Sequence, residues 1–133
     1  MSIYEEMGGE AGVRSVVDRF YDLMHELPAA QHIRKMHADN LDSSRDKLFW
    51  FLSGWLGGPP LFVEKRGHPR LRARHLPFAI DDRARDQWML CMRQALSENT
   101  TLSNETREKL DDALFKLADH MRNTTQPGLK LVE

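Results

Sequence analysis

The chain has 133 residues, 41% apolar and 29% charged, a size and balance suited to one hydrophobic core and unlike a disordered segment. A net charge of −1 gives no global pull toward nucleic acid or an anionic membrane. The single cysteine, Cys91, excludes an internal disulfide, a zinc ribbon or an iron–sulfur centre built by this chain alone.

Helical periodicity recurs along nearly the whole chain. Ser2 and Glu5 have capping-box spacing, and Gly8-Gly9 stops the first short helix. Val13, Val16, Val17, Phe20, Tyr21, Met24 and Leu27 then form the clearest amphipathic stripe, which Pro28 interrupts. A short segment with Ile33 and Met36 leads into the polar stretch 37–42. Ser43 or Ser44 is expected to cap the next helix, with Leu48, Phe51, Leu52 and Trp55 inward and Gly57-Gly58-Pro59-Pro60 ending it. Residues 59–69 read as a loop, in which Leu61-Phe62-Val63 is strand-like but too short and isolated to found a sheet. Pro69 is placed to open a short helix through His75, which Pro77 closes.

Asp81 or Asp82 caps a longer helix carrying Trp88, Cys91, Met92, Ala95 and Leu96 on one face. Ser103 or Asn104 starts the last helix, with Leu110, Leu114, Leu117, Ala118 and Met121 inward. The expected fold is all-α, a single domain over 1–126 with a frayed tail at 127–133. The N-terminal MSIYEEMGGE lacks the blocks of a secretory signal, and runs such as LFWFL at 48–52 are too short to cross a bilayer. A cytoplasmic protein without membrane or nucleic-acid partners is therefore expected.

HExxH, GxSxG, GxxxxGK[ST], EF-hand and GxGxxG patterns are all missing. Six histidines remain, and for His25, His32 and His120 a surface position is the expectation. His75 differs in context. It lies in Gly67-His68-Pro69-Arg70-Leu71-Arg72-Ala73-Arg74-His75-Leu76-Pro77-Phe78, where prolines bracket the backbone, as a site that must aim one imidazole requires. The residues alone indicate a held histidine without saying what it holds.

From Ile3 to Arg122 the sequence resembles the group II truncated haemoglobins. The resemblance rests on the glycine breaks at 8–9, 57–58 and 67, the Phe20-Tyr21 pair, and the run from Gly57 through Phe78. It rests also on Trp88, thirteen residues after His75, at the place of the tryptophan that separates group II from group I. It implies a two-over-two helical sandwich around haem b with His75 as the proximal iron ligand. Leu48, Phe51, Leu71, Phe78, Trp88 and Met92 would contact the haem. Arg72, Arg74 and Lys47 are candidates to meet the propionates.

A neutral imidazole suits ferrous iron, and its second nitrogen should bond a backbone carbonyl, since no Asp or Glu is close by in sequence. On the opposite side, Tyr21, His37, Ser44 and Trp88 would line the gas pocket; a solvated loop is the alternative for His37. Trp88 can only donate, whereas Tyr21 can donate or accept, and small Ser44 leaves an entry path.

The resemblance thus implies reversible binding of O2, with CO and NO as further ligands, by a monomer or weak homodimer. The rival expectation is a haem redox enzyme acting on peroxide or nitric oxide, with electrons from an external reductase.

Overall fold

Helix α1 (Ile3–Met7) begins where Ser2 and Glu5 satisfy each other's donors. The Ser2 hydroxyl accepts from the Glu5 amide, and the Glu5 carboxylate accepts from the Ser2 amide, both at 3.1 Å. Gly8 ends it at φ 111°, a left-handed conformation that side chains resist. In α2 (Gly9–Glu26) the expected stripe from Val13 to Met24 is buried, together with Leu23. A 3-10 turn (Pro28–Ala30) and the single turn α3 (Gln31–Arg34) redirect the chain. There follow α4 (Asp42–Trp55), α5 (Leu61–Arg66), α6 (Leu71–His75), α7 (Asp82–Ser97) and α8 (Asn104–His120).

This computed structural model describes residues 1–124, and among them there is no strand. The expected boundary at 126 and the tail 127–133 lie outside the described residues. No helix of the described chain is long and apolar enough to cross a membrane.

α2 packs on α4, α7 packs on α8, and α2 lies against α7, which makes a two-over-two sandwich. Phe20, Met24, Met89, Met92 and Leu114 fill the seam with almost no exposed surface. α3 is tied to α7 by polar contacts. The Ile33 amide donates to Gln87 Oε1 at 2.9 Å, and His32 Nε2 lies 3.2 Å from buried Asp81. Asp81, one of the two expected caps, also accepts from the Ala84 amide at 2.8 Å. His32 is therefore a half-buried partner of that cap and not a free surface residue. Ser103 caps α8 through the Thr106 amide.

Four expectations about the helices themselves also need correction. α4 starts at Asp42 without a serine cap. Asn40 Oδ1 accepts from the Asp42 amide at 2.8 Å, which frees Ser44 to face inward. Trp55, placed on the inner stripe, is 37% exposed. Residues 61–66 form helix α5 and not a loop. Pro60 precedes its first turn, Phe62 is buried, and Gly67 ends it, so packing against α4 supplies what local periodicity lacks. Pro69 does not open α6; that helix starts at Leu71, after Arg70.

The glycine pair at 57–58 also has a tertiary task. A Cβ on Gly58 would stand 2.4 Å from the Tyr4 ring, so glycine here lets α1 close over the α4–α5 turn. Buried Ser53 ties the same turn by donating to the Pro59 carbonyl at 2.7 Å.

Candidate functional site

The short elements between the four long helices leave a cavity of about 540 Å³, within the range of cofactor sites. α4 and α5 contribute Ser44, Lys47, Leu48, Phe51 and Phe62. α7, α8 and the residue after α8 contribute Ala84, Arg85, Trp88, Leu117, Ala118 and Met121. α6 and the turn beyond it supply Leu71, Arg74, His75, Phe78 and Ile80; α2, α3 and the turn after α3 supply Tyr21, Ile33, Met36, His37 and Ala38. The walls are mostly carbon, with a few polar groups converging on the space.

His75 is held by its own helix. Its Nδ1 lies 2.6 Å from the Leu71 carbonyl, and a carbonyl can only accept, so Nδ1 carries a proton and Nε2 is the nitrogen left to act as a ligand. His37 repeats the pattern, with Nδ1 donating to the Ile33 carbonyl at 2.9 Å. Burial is the chief reason that His37 titrates below the ordinary imidazole value; the nearby charges of Arg34 and His75 also push it down, against the Ile33 bond.

The Tyr21 ring stands edge-on to His37 at 5.8 Å and edge-on to Phe20 at 4.8 Å. Phe20 in turn meets Trp88 edge-on at 5.1 Å. Burial raises the Tyr21 phenol far above its ordinary value, so it is an O–H donor at neutral pH.

Eleven of the thirteen residues expected at the site line the cavity. Arg72 and Met92 do not. The Arg72 guanidinium is spent on the carbonyls of His120 (2.5 Å) and Arg122 (3.0 Å), and Met92, one turn beyond Trp88, is buried in the helical seam at 1% exposure. Of the expected cations, Lys47 is exposed at the rim. Arg74 donates to the Pro69 carbonyl at 2.5 Å and lies over the Phe62 ring at 5.2 Å.

Sequence reasoning missed Phe62, Ile33, Met36, Ala38, Ile80, Ala84 and Arg85 as lining residues. It placed Leu117, Ala118 and Met121 inward, but periodicity cannot distinguish a packed face from a cavity wall.

The donor set fits haem. The imidazole of His75 is fixed with Nε2 left as a ligand, apolar side chains line the space, and Lys47 and Arg74 could meet carboxylates at its edge.

Residues 2–123 match the bacterial-like globin family. The cold-adapted truncated hemoglobin of the Antarctic marine bacterium Pseudoalteromonas haloplanktis superposes with a TM-score of 0.90 at 48% identity, covering 93% of this chain and 99% of that one. The group II 2-on-2 hemoglobin of the plant pathogen Agrobacterium tumefaciens gives 0.90 at 42% identity over 95% and 96% of the two chains. A truncated oxygen-avid haemoglobin from Bacillus subtilis gives 0.81 at 39% identity over 92% and 100%. The helical sandwich, its cavity and these likenesses agree, and the chain belongs to the group II truncated haemoglobins, globins that bind haem and diatomic gases.

Proposed function

We propose that this chain reversibly binds O2 at the iron of haem b, with His75 as the proximal ligand and Tyr21, His37 and Trp88 around the gas. The observation that carries the reading is a pair of unspent donors. The Tyr21 hydroxyl and the Trp88 indole N–H belong to cavity-lining residues and make no hydrogen bond among the described residues. Haem, when bound, supplies a ferrous iron with one open position for a diatomic gas.

His75 would hold that iron through Nε2, while the Leu71 carbonyl keeps the proton on Nδ1 and stops the ring turning. Donation from Tyr21 and Trp88 favours a ligand that takes on partial negative charge, which describes O2 better than CO. Lys47 and Arg74 would meet the propionates. A peroxidase-like push needs an anionic partner on the proximal ring, and here that partner is a neutral carbonyl. The likeness to an oxygen-avid relative supports the same choice.

The reduced, haem-loaded protein is expected to return to its deoxy spectrum through repeated cycles of air and argon. Rapid one-way conversion to the ferric form, or steady consumption of peroxide with an added reductant, would instead establish the redox reading.

His37 gives a pH prediction. Its folded value lies below the ordinary 6.5, so the ring is neutral at pH 7 and gains its proton only in acid. The unfolded chain binds that proton first as pH falls. Stability linked to neutral His37 is therefore complete above about pH 6.5 and lost as pH drops through the folded value. The ferric absorption spectrum of the wild type is expected to titrate below pH 6.5, and His37→Phe to lack that transition. Identical profiles for the two proteins would remove His37 from the gas pocket.

A further inference from the structure

Helix α6 has five residues, too few for a helix to stand alone, none of them is buried, and it packs broadly against no other helix among the described residues. Its start has no side-chain cap and passes through Arg70 at φ 46°, a left-handed conformation that costs a non-glycine residue energy. Yet this helix carries His75. The bond from Nδ1 to the Leu71 carbonyl fixes the ring relative to α6 but cannot fix α6 relative to the cavity.

That second constraint comes from the far end of the chain. Asn123, just beyond α8, donates through Nδ2 to the carbonyls of His75 at 3.2 Å and Phe78 at 2.9 Å. Its Oδ1 accepts from the Ile80 amide at 3.0 Å, and its own amide donates to the Ile80 carbonyl at 3.0 Å. Arg72 reaches back from α6 to the carbonyls of His120 and Arg122. Only one orientation of the Asn123 amide serves these partners, since a flip would set its oxygen against two carbonyls and its NH2 against an N–H.

We propose that Asn123 is a positioning residue for the proximal histidine: it clamps both ends of the turn from His75 to Ile80, so that Nε2 keeps its aim into the cavity. This rests on the reading of His75 as the iron ligand. The α8 terminus thereby acts as the missing neighbour of α6.

The test uses the full chain loaded with haem. Asn123→Ala removes all the side-chain bonds. Asn123→Asp keeps the shape and the acceptor for Ile80 but removes both donors. Both variants are expected to keep wild-type far-ultraviolet circular dichroism. Each lost hydrogen bond is worth a factor of several, so both should pass haem to excess apomyoglobin about tenfold faster or more. Both should also shift or broaden the ferrous iron–histidine stretching band in resonance Raman spectra. The Ile80 amide should exchange with solvent faster in Asn123→Ala than in Asn123→Asp, a readout independent of gas binding.

Wild-type haem loss and an unchanged stretching band in both variants, while His75→Ala loses its haem, would overturn the clamp and leave His75 as ligand. A wild-type spectrum in His75→Ala would overturn both.

Discussion

His75→Ala is expected to lose most of its haem on purification, and added imidazole is expected to restore part of the spectrum by entering the vacated space. Removing the ring deletes the lone pair that the Leu71 carbonyl holds ready, and leaves apolar contacts and rim cations to retain haem. Haem binds the folded chain alone, so its loss also removes stability by mass action. At a thousandfold excess over Kd that linkage is worth about 4 kcal/mol, which lowers the melting temperature by many degrees for a domain of this size.

The comparison that decides the assignment is with His37→Phe, because His37 also presents a bare Nε2 to the cavity. If His75 is the ligand, His37→Phe keeps its haem and His75→Ala does not. The reverse pattern would exchange the two roles.

Much of this arrangement is legible in the sequence. The α2 stripe follows from 3.6-residue spacing because each of its apolar residues meets the core through the same face, and the Ser2–Glu5 box is a purely local device. His75 stood out through the prolines around it, although the structure holds it by other means.

Failures occurred where the deciding contact is distant in sequence. Leu61-Phe62-Val63 is helical because α5 packs against α4 and Leu61 against the core, contacts that periodicity alone does not register. Arg72 looked like a propionate partner beside Arg74, but its acceptors are 48 and 50 residues away. Trp88 and Met92 share one stripe of α7, yet the cavity ends between them, so one is a wall residue and the other is core. Asn123 gave no signal at all, because one amide serving two carbonyls and an N–H leaves no periodic trace.

Trp88→Phe tests whether the gas pocket holds its ligand or merely admits it. An indole N–H can only donate, and a hydrogen bond to a partly charged acceptor is worth about 1.5–3 kcal/mol, or roughly ten- to a hundredfold in an off-rate. Phenylalanine retains an aromatic ring against Phe20, which meets Trp88 edge-on at 5.1 Å, so the substitution removes the donor with little loss of packing. Tyr21 lines the same cavity with its phenol protonated, and the two donors can share one acceptor. The single variant should therefore show less than the full effect, and Tyr21→Phe with Trp88→Phe more than either alone. The expected outcome is O2 release at least several-fold faster in Trp88→Phe by stopped-flow, with a smaller change in CO equilibrium affinity. An equal change for both gases would point to altered access. An unaltered O2 off-rate in the single and double variants alike would reduce both side chains to packing, and ligand holding by this pocket would lose its mechanism.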